Sequence, residues 1–232
     1  FSEGNKFWFD RGNSQTLKIE LDKFNIDNAS ENVIILPEQG IGDQIALLST
    51  LKDIPSRKFL VVEERLKNLI SDNTYDINVI STDEFSGMSF TKENTSIMNL
   101  GDNIKTFSQQ NSYINVKQSN KYSFKNKTIG ISWKSSNGLS GYLRSVEFFK
   151  MMSYLNRENT TFVSLQYGDT SFERSIASDN NWNVVFDVVD PMENLRDYAD
   201  LILSMDSIVS VDNSLVHICG GLGHKNTHVM IP

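Results

Sequence analysis

The chain has 232 residues, 39% of them hydrophobic and 22% charged, an ordinary soluble composition that excludes disorder, collagen and coiled coil. Its 22 Lys and Arg against 29 Asp and Glu leave a net charge of −7, without the basic footprint that nucleic-acid binding needs. The single Cys219 excludes an internal disulfide and points to a reducing compartment such as the cytoplasm. No run approaches the roughly 18 apolar residues of a membrane span.

Residues 1–32 are polar and weakly patterned, with one aromatic cluster at Phe7, Trp8 and Phe9. The opening Phe in place of Met suggests an excised piece of something longer. From Val33 the text becomes strand, glycine turn, helix: Val33-Ile34-Ile35-Leu36, then Gly40-Ile41-Gly42-Asp43, then Ile45, Leu48 and Leu51 at helical spacing. Residues 59–62, 77–80 and 96–98 read as further strands, 63–70 and 102–107 as helices. The lysine-rich stretch 119–127 reads as a linker between a first domain, 33–118, and a second, 128–232.

The second domain repeats the pattern. Strands are predicted at 128–133, 161–166, 182–186, 207–211 and 227–231, and helices at 145–155, 171–178, 192–205 and 213–222. Strands that are apolar throughout and alternate with helices argue an α/β chain with parallel sheets covered on both faces. Ligands of such sheets sit beyond the carboxyl ends of the strands, and every polar cluster below falls at such an end.

Gly40 and Gly42 let backbone approach a ligand, and the helix after them can receive an anion. Asp43 at that turn suits a general base; the plainer reading makes it a helix cap. Asp212-Asn213-Ser214 places three polar residues between a strand and a helix, with His217 one turn on, a pattern suited to a phosphate. Lys134 and Arg144 flank a loop and would supply positive charge to a diphosphate, or sit solvated at the surface. Ser145 reads as a helix cap, and Gln166 as a donor or acceptor for a base or ribose. Gly220-Gly221-Leu222-Gly223 reads as a helix end. No metal site is predicted: His217, His224 and His228 lack zinc spacing, and there is no Asp-x-Asp.

These motifs, in this order, resemble a known family. Glu38-Gln39-Gly40-Ile41-Gly42-Asp43 resembles the E-Q-G-[LI]-G-D signature of the glycosyltransferase-like region of bacterial tetratricopeptide-repeat proteins. Ile129-Gly130-Ile131-Ser132-Trp133-Lys134 is similar to its G-[IL]-x-W-[RK] strand, and Arg144-Ser145 to its R-S. Ser164-Leu165-Gln166-Tyr167-Gly168 is similar to its S-L-Q-x-G, and the segment from Asp206 to His217 to its D-x-[VI]-I-[ST]-V-D-[NT]-S-x-x-H. The heptosyltransferases of glycosyltransferase family 9 share the G-D and D-T-x-x-x-H pattern.

The resemblance implies a GT-B-like fold, two Rossmann-like domains facing across a cleft, with no essential metal and no cofactor. It implies a glycosyltransferase that moves a sugar from a nucleotide-sugar donor to a glycan or lipid-linked acceptor. Asp43 would be the catalytic base. Asp212, Asn213, Ser214 and His217 would form the donor loop, with Lys134 and Arg144 toward the phosphates. The alternative is a non-catalytic nucleotide-binding or protein-interaction module on the same fold.

Overall fold

A computed structural model of the chain describes residues 32–37, 40–54, 57–70, 77–86, 93–96, 112–135 and 140–231. It divides into two compact units, Phe1–Asn115 and Val116–Pro232.

The first unit runs β1 (Asn32–Leu36), α1 (Ile41–Leu48), a 3-10 turn (Leu51–Asp53), β2 (Arg57–Val62), α2 (Glu64–Ile70), β3 (Ile77–Ser81), α3 (Thr82–Ser86) and β4 (Glu93–Ser96). Its four strands pair in parallel in the order β3-β2-β1-β4. Val33, Ile34, Ile35 and Leu36 are buried, as a strand needs to be when helices cover both faces. Ile34 and Leu36 pack with Val61, Ile80 and Phe85, while Ile45 and Leu48 of α1 are also buried. Of the strand expected at 96–98, Ser96 ends β4, and residues 97 and 98 lie outside the described residues. Helix α3 was not anticipated, although Ser81 and Glu84 form a reciprocal cap: the Glu84 amide donates to Ser81 Oγ at 3.2 Å, and the Ser81 amide to Glu84 Oε2 at 2.9 Å. The aromatic cluster at Phe7, Trp8 and Phe9 and the helix expected at 102–107 lie outside the described residues.

The second unit runs β5 (Lys127–Ser132), a 3-10 turn (Tyr142–Arg144), α4 (Phe148–Leu155), β6 (Thr160–Ser164), α5 (Ser171–Asp179), β7 (Val184–Val185), α6 (Leu195–Leu203), β8 (Ser207–Val211), α7 (Ser214–Leu222) and β9 (Thr227–Met230). Its five strands are parallel, in the order β7-β6-β5-β8-β9. In both sheets the strand order therefore reverses once, between β1 and β4 and between β5 and β8. Such reversals open a crevice at the strand carboxyl ends.

An aromatic cluster fills one face of the second sheet. Trp133 lies 4.7 Å from Phe148, and Phe186 touches both rings. Helix α4 begins three residues later than expected, after a stretch in which the Val146 amide donates to Trp133 O at 2.8 Å. Helix α7 ends at Gly223, whose φ of 73° is the left-handed conformation glycine adopts without penalty. The His224 amide closes that end on Cys219 O at 2.9 Å.

The segment before β5 lies along α6. The Ser119 amide donates to Asp200 Oδ1 at 2.7 Å, and the Ser119 hydroxyl donates to Oδ2 of the same carboxylate. Gln118 Nε2 donates to Leu203 O at 3.1 Å, and Lys121 pairs with Asp197 at 2.6 Å. That pairing raises the Lys121 pKa and lowers that of Asp197. Asp200 is 6% exposed, and both of its carboxylate oxygens are met by Ser119 donors.

Gly130 is buried at the centre of β5. A Cβ there would meet Leu165 Cδ1 at 2.5 Å and both Leu165 Cγ and Met205 Cγ at 3.2 Å. Gly130→Ala is expected to lower stability by about 1–3 kcal/mol through overpacking. In urea unfolding this reads as a lower midpoint at an unchanged slope.

Candidate functional site

In the second unit the tips of β5, β6 and β8 are joined through two side-chain amides. Gln166, just past β6, accepts at Oε1 from Ser132 Oγ (3.0 Å), the Trp133 amide (3.0 Å) and the Lys134 amide (2.9 Å). Its Nε2 donates to Lys134 O (3.2 Å) and Tyr167 O (3.3 Å). Asn213, just past β8, donates from Nδ2 to Ser132 Oγ (2.8 Å) and Lys134 O (3.3 Å). Its Oδ1 accepts from the Leu215 amide at 3.1 Å, capping α7. Both amides are buried. Tyr198, inside α6, adds a tie by donating to Leu165 O at 2.5 Å. Burial holds that phenol well above its ordinary pKa, so it stays a donor.

The loop after β5 is closed at its base. The Ser135 amide donates to Ser145 Oγ at 3.0 Å, and Ser145 Oγ donates to Gly141 O at 2.7 Å. Ser145 therefore closes a loop and ends the 3-10 turn. It does not cap α4, whose N-cap is Glu147 without a side-chain bond.

The two cations of this loop diverge. Lys134 Nζ donates to Asp169 O at 3.0 Å and lies 3.5 Å from Glu173 Oε1, on the β6 side. Glu173 also accepts from Trp133 Nε1 at 3.0 Å, so one carboxylate holds the ring and the ammonium together. Arg144 turns the other way, to the tip of β8: Nη1 donates to Asp212 Oδ2 at 3.1 Å and Nη2 to Ser140 Oγ at 3.2 Å. The β5/β8 reversal thus gathers Arg144, Asp212, Asn213 and Ser214, with His217 half-buried one turn into α7. Lys134 contributes its backbone there and its charge elsewhere. Glu173 is a residue the sequence reading missed; its only local signal is an acid in the first turn of α5.

In the first unit, Gly40 is the N-cap of α1, with φ −73° and ψ 162°, and makes no side-chain cap bond. Asp43 is the third residue of the helix, exposed. It is not the cap. A Cβ built on Gly40 would lie 3.5 Å from Asp43 Oδ2, so the carboxylate reaches back over the helix entrance. Gly42 is buried against the fold, and Glu38 and Gln39 lie outside the described residues. An acid in the first helical turn is favoured by the helix dipole.

His224 is structural: its ring nitrogens meet Thr227 Oγ1 and Met205 O, each at 3.0 Å. Cys219 is buried, and burial pushes its thiol up to about 12. Among the described residues, no group of three or more His, Cys, Asp or Glu could hold a metal ion, and no helix is long and apolar enough to cross a membrane.

No family model matches the chain, and no curated protein sequence does. Among solved structures, it is similar to the bacterial iron-containing dodecameric glycosyltransferase TibC from enterotoxigenic E. coli H10407, with a TM-score of 0.55 at 10% identity. The match covers 85% of this chain and 57% of that one, so the chain spans little more than half the length of its structural neighbour. The likeness is one of fold: this chain has the glycosyltransferase-like α/β architecture of parallel, Rossmann-like sheets.

Two outcomes are expected. Gln166→Leu strands the Ser132 hydroxyl and the Trp133 and Lys134 amides; it should cost about 2–4 kcal/mol in urea unfolding. The Cys219 thiol should react with iodoacetamide at pH 8 at least about 100-fold more slowly in the folded protein than in urea. Because its folded pKa is raised, the stability it contributes is complete below about pH 9, the ordinary thiol value. That contribution should decline as pH rises toward the folded value of about 12.

Proposed function

We propose that this chain is a metal-independent glycosyltransferase that moves a hexosyl or heptosyl group from a nucleoside-diphosphate sugar to a glycan or lipid-linked acceptor. The observation that carries this reading is the Arg144 guanidinium at the β5/β8 reversal, beside the amino end of α7 and its Asn213 cap. The fold shared with a glycosyltransferase supports it. So do the net charge of −7 and the lone cysteine, which fit a small-molecule enzyme of a reducing compartment such as the cytoplasm.

In the reaction, the bond between the anomeric carbon and the phosphate oxygen breaks, and its electron pair stays on the departing nucleoside diphosphate. The acceptor oxygen bonds the anomeric carbon, and its proton passes to Asp43. Arg144 and the first amides of α7 stabilise the negative charge that grows on the leaving group. Ser214 and His217 contact the nucleotide sugar. Gln166, Asn213 and Lys134 act through position: their polar groups hold the three strand tips in register. Gly40 and Gly42 shape the turn that carries Asp43.

A second reading has one observation in its favour. The Lys134 ammonium is already held by Glu173 and Asp169 O, which among the described residues leaves Arg144 as the cation shown at the reversal. A module that binds nucleotide without turning it over needs no more. Transfer activity separates the two readings, and thermal unfolding with uridine, adenosine, guanosine and cytidine diphosphates tests the nucleotide binding that both require. At least one should raise Tm by several degrees at saturating concentration. Asp43→Asn should keep that shift and lose transfer at least about 100-fold. Silence from all four nucleotides favours an interaction module. Loss of the shift in Asp43→Asn assigns Asp43 to the donor.

A further inference from the structure

A guanidinium carries five N–H donors in a fixed fork. Arg144 spends one on Asp212 and one on Ser140. Its Nε is buried and meets no hydrogen-bond partner among the described residues. A buried, charged donor without an acceptor is uncommon, and it marks a place where an acceptor belongs. The Asp212 carboxylate covers one edge of the fork without satisfying the rest. The pair is also open to water, with side-chain exposures of 26% for Arg144 and 43% for Asp212. Ion pairs this exposed contribute little to stability and separate easily.

We propose that Asp212 is a built-in counter-anion. It occupies the Arg144 edge in the ligand-free protein and is displaced by the diphosphate of the incoming nucleotide. This rests on the reading of the β5/β8 crevice given above and reassigns Asp212 from donor ligand to competitor. A phosphate group brings three acceptor oxygens and more charge than a carboxylate, enough to meet the unspent donors and take over the pair. A singly charged anion gains no such advantage and is turned away. The site is thereby tuned to pyrophosphate-bearing molecules, and Arg144 is not left bare when no ligand is bound.

The test is calorimetric titration of the full chain with inorganic pyrophosphate, using wild type, Asp212→Asn, Asp212→Ser, Arg144→Gln and the Arg144→Gln/Asp212→Asn double variant. Asp212→Asn and Asp212→Ser are expected to bind 3- to 10-fold more tightly than wild type. Arg144→Gln should weaken binding at least 10-fold, and the double variant should show no recovery. Wild-type binding with unchanged or weaker affinity in both Asp212 variants would overturn the counter-anion role while leaving the anion site standing. Absence of binding in wild type and every variant would overturn the site as well. Circular dichroism that shows both Asp212 variants unfolded also counts against the proposal, since a displaceable carboxylate is not needed for folding.

Discussion

The arrangement of the second unit depends on the Lys134 carbonyl and the Ser132 hydroxyl, each of which bonds both Gln166 and Asn213. Past the ends of β5 and β6 the backbone leaves the sheet with the Trp133 and Lys134 amides and the Lys134 and Tyr167 carbonyls to satisfy. Two buried amides satisfy those groups from opposite flanks of β5. Both amides are close to saturated, so they fix geometry at the cost of having little left for a ligand. Loop, helix and cation positions follow from that knot.

Sheet order then decides which charges matter. β5 is central, with β6 on one side and β8 on the other, so a side chain leaving its tip can turn either way. Lys134 turns toward β6 and is neutralised by Glu173. Arg144, at the far end of the same loop, turns toward β8 and meets the start of α7. The two cations, neighbours across one loop in sequence, end on different sides of the strand. The first unit has a comparable reversal beside β1, where an exposed Asp43 follows a glycine cap.

Much of this was legible in the chain itself. The apolar runs at Val33, Phe59, Thr161 and Ser207 and the glycine at the end of α7 announce elements found close to where they were expected. What the sequence withheld was partnership. Gln166 at a strand end reads as a ligand group, but its acceptors and donors are taken by the neighbouring strand. Ser145 has a capping residue's identity and closes a loop instead: its hydroxyl meets the Ser135 amide and Gly141 O, and the helix begins only at Phe148. The Glu173 contact to Trp133 spans 40 positions, beyond the reach of any local pattern. Helix α3 is a different case: its Ser81-to-Glu84 box is a short-range signal, present in the text and outweighed there by the short apolar content around it.

The ladder of contacts along α6 sets where the second half can be severed. A fragment trimmed to Lys127, the natural cut if β5 is taken as the first element, discards Gln118, Ser119 and Lys121 together. The nearly buried Asp200 carboxylate would then lose both the amide and the hydroxyl that Ser119 supplies. The second unit therefore takes in Gln118, Ser119 and Lys121, and what resembles spare tether is a rivet in the body it leads to.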